Sequence, residues 1–151
     1  MCQSSKEGDR IIGLRVVVLV LYLLVALVAL SMARTGLTAQ RMLPFHELAA
    51  GISWDDVGSG LRAVLLSLTR TVGLGFLVVA LLLIVFPIVQ FVHPGSATAY
   101  GPPALALLYC GGLAVVNHRL EAATSSPAPW KGSLYAAVLI ALGMGLTAVA
   151  Y

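Results

Sequence analysis

The chain has 151 residues, of which 60% are hydrophobic and only 10% charged, and its mean hydropathy is +0.98. Soluble domains carry roughly 25% charged residues, so the composition excludes that class and points to a membrane protein. The formal charge of +3, from nine Lys and Arg against six Asp and Glu, suits a neighbour of anionic lipid and is too dispersed for nucleic-acid binding.

Residues 1–10 are polar and mixed in charge, which predicts a short mobile tail ahead of a single membrane domain over 11–151. The first helix is expected over 11–33: Val16 to Ala33 is uncharged, and Arg15 just before it can snorkel to the headgroups. This run is longer than a signal-peptide core and ends in Ser31-Met32-Ala33-Arg34, a poor cleavage site, so it is expected to remain as a span. Residues 35–60 form the longest polar connection. Within it, Pro44 and Gly51 bracket a short amphipathic helix, and Ser53-Trp54-Asp55-Asp56 reads as a cap followed by acids. The segment is expected on the membrane surface, with Trp54 near the headgroups.

The second helix, expected over 61–92, organises the chain. After Arg62 and Arg70 it has no ionisable side chain from Thr71 to Val92, about 33 Å of helix at roughly 1.5 Å per residue. Pro87 lies near its far end, His93-Pro94-Gly95 stops it, and 96–101 reads as a tight turn. The third helix, expected over 102–117, opens with Pro102-Pro103 and closes at Asn117-His118-Arg119, short for a span of roughly 20 residues. A Ser/Pro-rich loop ending at Trp130 leads to the fourth, over 132–150. The fold class is therefore all-α, an integral membrane antiparallel four-helix bundle with a surface helix between helices 1 and 2. Small residues four apart (Ser67, Thr71 and Gly75; Ala106, Cys110 and Ala114; Ser133, Ala137, Ala141 and Gly145) are expected to let the helices approach closely. The even count puts Trp54 and Trp130 at one interface and Tyr100 and Tyr151 at the other. The positive-inside rule puts the arginine-bearing loops in the cytoplasm.

The polar residues gather on the tryptophan side. Arg70 lies just over two turns beyond Arg62, so both point in broadly the same direction. A guanidinium at that depth needs a partner, and Glu121 or Asp56 would serve. The functional alternative is a ligand site made of Arg62, Arg70, Asn117, His118 and Glu121, taking a lipid phosphate or a carboxylate. No catalytic residue is assigned. His46 and His118, beside Glu47 and Glu121, show no HExxH or comparable spacing, so neither a metal nor another cofactor is called for. Cys2 and Cys110 share no CxxC spacing, and Gly73-x-Gly75 and Gly143-x-Gly145 read as packing glycines because no strand precedes them.

A mobile tail, one span, a Pro-Phe-His and Ser-Trp-Asp connection, and then Gly60-Leu61-Arg62-Ala63 and Arg70-Thr71-Val72-Gly73 entering the second span make an order of parts that resembles small bacterial four-helix membrane proteins of the DoxX-like kind. The resemblance covers nearly the whole length and implies an integral protein of the bacterial inner membrane with no established activity. Asn117-His118-Arg119-Leu120-Glu121 is also similar to the polar motif of membrane glutathione transferases, although in that family the motif lies near the start of the second helix. Two functions compete: a non-enzymatic accessory or assembly subunit, which is favoured, and a small membrane enzyme or lipid- or anion-binding protein with an arginine-lined pocket. A proton-coupled exporter is disfavoured because none of the four apolar runs contains Asp or Glu. The partners expected are the lipid bilayer, anionic lipid within it, and a second copy or another membrane protein.

Overall fold

The computed structural model describes residues 2–93 and 100–150, and residues 2–7 and 9 by their backbone alone. The described chain is all-α: α1 (Cys2–Leu37), α2 (Pro44–Ala50), α3 (Ser59–Val92), α4 (Gly101–Thr124) and α5 (Trp130–Ala150), with one 3₁₀ turn at Trp54–Asp56. Among the described residues, three stretches are long and apolar enough to cross a membrane: Arg10–Leu37, Ser59–Val92 and Trp130–Ala150.

Two helices run further than expected. The segment 2–10 continues the backbone of α1 instead of forming a separate tail, since Gln3, Lys6 and Glu7 are good helix formers and no proline interrupts them. Helix α4 passes Asn117 by two turns and stops at Ser125, whose φ of 54° is left-handed. Polar side chains end a membrane run, but they do not end a helix, and Leu120-Glu121-Ala122-Ala123 sustains this one. The turn expected over 96–101 falls mostly outside the described residues.

The core joins four helices. Val18, Tyr22, Val25, Ala26 and Ala29 of α1 meet Val79, Ala80 and Leu83 of α3, Ala106 and Cys110 of α4, and Ala137 and Ile140 of α5. On α3 the inward residues include Thr69, Gly73, Phe76, Ala80, Leu83, Pro87 and Gln90, with Val79 beside Ala80; the first seven alternate steps of three and four, as a continuous seam between helices requires. Helices α1 and α3 share the most extensive contact, and it is tightest at Gly36 and Gly73. A Cβ on Gly36 would lie 2.8 Å from Gly73 Cα, and one on Gly73 would lie 2.9 Å from Leu37 N. Two tyrosines fill the other glycine gaps. Tyr22 lies on Gly143, and Tyr109 lies on Gly75, where it donates to the Val72 carbonyl at 3.0 Å and meets Phe76 edge-on.

The small-residue stripes hold only in part. Ala106, Cys110 and Ala114 are all buried on α4. On α5, however, Ala141 and Gly145 are exposed, and the inward line is Ala137, Ile140, Gly143, Thr147 and Ala150. On α3, Ser67 and Thr71 also face outward. Four residues advance the helix by about 400°, so a strict four-residue stripe drifts about 40° per step away from any fixed neighbour.

Candidate functional site

The site is built by the connection between α1 and α3. Pro44, which lacks an amide proton, occupies the first turn of α2, and Gly51 closes the helix at a φ of 63°, as the sequence predicted. Ser126 donates its hydroxyl to the Leu48 carbonyl at 3.2 Å, which ties α2 to the loop after α4. Arg41 and Glu47 form an exposed ion pair at 3.3 Å. Beneath α2 opens a groove of about 410 Å³. Leu65, Leu68, Thr69 and Val72 form its α3 wall, while Met42, His46, Ala49 and Leu120 close it from the other sides. The Thr69 hydroxyl donates to the Leu65 carbonyl at 2.9 Å, which uses its proton and leaves its oxygen as an acceptor. Burial lowers the pKa of His46, which favours its neutral form.

The five residues proposed from sequence as a ligand set divide between two loops. Arg62 donates to the Asp55 carbonyl at 2.7 Å, and its guanidinium stands 5.6 Å from the centre of the Trp54 ring. Trp54 is buried, with Arg62 beside its ring. Ser53 does cap the 3₁₀ turn, accepting from the Asp55 amide at 3.4 Å. Arg70 is exposed and donates to the Ala39 carbonyl at 3.4 Å. The expected Arg70–Glu121 pair does not form: Glu121 Oε2 accepts the Ala128 amide at 2.9 Å. His118 packs edge-on against Trp130 at 5.1 Å, and Lys131 lies 5.7 Å from the same ring. Asn117 is half-buried one residue before. Glu121, His118 and Trp130 thus close the α4–α5 loop, whereas Arg62 and Arg70 fasten the α1–α3 connection. Among the described residues no three His, Cys, Asp or Glu come together as a metal-holding group.

Sequence reasoning missed two features. One is the groove; its signal was the apolar entry of α3, where Leu65 and Leu68 lie on the stripe, combined with the Pro44-to-Gly51 helix long enough to cover it. The other is a polar cluster at the opposite end of the bundle, where Arg15 donates to the Ala150 carbonyl at 3.1 Å. Tyr22, Gln90 and Thr147 join it around a void of about 10 Å³, close to the room one water needs. Its members come from three helices, and nothing in their local spacing announces the meeting. No family model matches the chain, and neither a curated protein nor a solved structure matches it.

Proposed function

We propose that the chain is an integral membrane protein of the cell membrane, an antiparallel bundle in which α1, α3, α4 and α5 cross the bilayer while α2 lies on its surface. It acts as a non-enzymatic accessory or assembly subunit. Helix α4, although less apolar, is 24 residues long, about 36 Å at roughly 1.5 Å per residue. Its Pro103, Ala106, Cys110 and Ala114 turn inward, while Leu105, Leu108, Val115 and Val116 turn outward with more than half of each side chain exposed. Such an outer face suits lipid or another helix. The DoxX-like order of parts fits the same reading.

The non-enzymatic part rests on one observation. Arg62, Arg70 and Glu121 each spend a bond on a backbone group of the connections, so these three serve the fold and leave the groove lined mainly by hydrocarbon, with His46 and Thr69 as its polar members. Groups poised for catalysis would converge on one reacting position. Cross-linking in intact membranes followed by mass measurement tests the subunit role. An assembly of fixed stoichiometry, with itself or a partner, is expected, and a chain that stays monomeric throughout would overturn the role.

A further inference from the structure

The polar cluster at the opposite end of the bundle contains a hydroxyl that no side chain or carbonyl satisfies. Tyr22 on α1 is 3% exposed, and its shielded hydroxyl has no hydrogen-bond partner among the described residues. The ring cannot swing aside to find one. It lies against the bare backbone of Gly143 on α5, where a Cβ would stand 2.6 Å from Tyr22 Cε1. A buried hydroxyl left unpaired loses the bonds it made to water before folding, a cost that native structures seldom carry.

Its neighbours are placed to share a guest with it. Thr147 lies one turn beyond Gly143 on the inward line of α5 and is 4% exposed. It donates to the Gly143 carbonyl at 2.7 Å, so its proton is spent while its oxygen can still accept. Gln90 of α3, equally buried, brings an amide that can donate and accept. All three line one void of about 10 Å³, and one water needs about 10–15 Å³. Size therefore excludes any larger guest. Charge excludes a small cation, because the Arg15 guanidinium lines the same void while it donates to the Ala150 carbonyl at 3.1 Å. A water is neutral, small enough, and both donor and acceptor.

We propose that this void is a binding site for one structural water, which accepts from the Tyr22 hydroxyl, donates to the Thr147 oxygen and takes the Gln90 amide as its third partner. A bridging water is nearly as good as a direct hydrogen bond, so it fastens α1, α3 and α5 to one another at this end of the bundle. The site belongs to the interior of the chain and stands apart from the subunit role proposed above.

The test exposes the full chain, purified in mild detergent, to a brief X-ray pulse that splits water into hydroxyl radicals, and reads the modified residues by mass spectrometry. A water held against Tyr22 should leave that ring more heavily modified than Tyr109, which is less buried but donates straight to the Val72 carbonyl. Thr147→Val keeps the side-chain shape and removes the oxygen, so the modification of Tyr22 should be lost. Thr71→Val, on the exposed side of α3, should leave it unchanged. Tyr22 modified less than Tyr109, or modified equally in wild type and Thr147→Val, would overturn the proposal. A second arm is independent of the folding of any variant. In a crystal structure of wild type that shows ordered water, a peak should lie within about 3 Å of both Tyr22 Oη and Thr147 Oγ1. The absence of that peak, or a Tyr22 hydroxyl bonded straight to Thr147 with the void closed, would also overturn it.

Discussion

Gly73→Ala measures how closely α1 and α3 approach. The added Cβ would stand 2.9 Å from Leu37 N and 3.0 Å from Gly36 C. Ordinary contact begins at 3.4 Å, so the helices must part locally by about half an ångström. Both obstructing atoms are backbone and cannot swing aside. Overpacking of this kind costs about 1–3 kcal/mol, whereas Gly to Ala inside a helix gains roughly 0.5–1 kcal/mol by itself. Gly145→Ala supplies the reference, because a Cβ there has nothing within 4 Å. The propensity gain is common to both variants, so the difference between them isolates the helix contact. In a thermal-stability assay in detergent, Gly73→Ala should lie below Gly145→Ala by about 1–3 kcal/mol. Adding Gly36→Ala to Gly73→Ala should cost less than the two singly, since the first change has already parted the helices. Equal stability of Gly73→Ala and Gly145→Ala would refute the close approach.

Tyr109→Phe removes only the bond to the Val72 carbonyl, which lies within the α3 ladder. The expected loss is about 0.6 kcal/mol, typical of hydrogen bonds between helices in a membrane, and the same thermal assay reads it. Glu121→Gln exchanges the charged acceptor of the Ala128 amide for a neutral one, so it should lower the melting temperature in the same assay; unchanged melting would contradict the assignment. For His46, burial lowers the pKa from its ordinary 6.5. Below that pH the unfolded chain takes up the proton first, so stability should fall as pH drops. In pH-dependent melts, His46→Leu should flatten that decline.

The long apolar helices were legible because hydrocarbon runs without charge have few other uses, and α2 was legible because proline and glycine mark its ends. The helix faces were harder to read. A four-residue stripe correctly picked out Ala106, Cys110 and Ala114, but Ser67 and Thr71 of the equally short stripe on α3 face outward, and from Ser133 to Gly145 the drift carried Ala141 and Gly145 to the outside. The end of α4 was misplaced because polarity at Asn117 marks the edge of an apolar run, not the end of the hydrogen-bonded ladder. Arg70 was correctly placed on the polar side, but its partner is a backbone carbonyl, and backbone partners leave no trace in a sequence. For the same reason the loop bond from Ala128 to Glu121 could not be foreseen. The groove depends on how α2 rests on α3, which local spacing does not determine.

The central claim is that α4 crosses the bilayer together with the three more apolar helices, and the side on which each end of the chain emerges tests it most directly. In a background of Cys2→Ser and Cys110→Ala, single cysteines would be introduced by Gly8→Cys, where the backbone has open space around it, and by extension beyond Tyr151. Each would be probed with a membrane-impermeant thiol reagent in sealed vesicles of known orientation. Four crossings predict that both cysteines react from the same side; reaction from opposite sides would mean an odd number of crossings and would contradict the account.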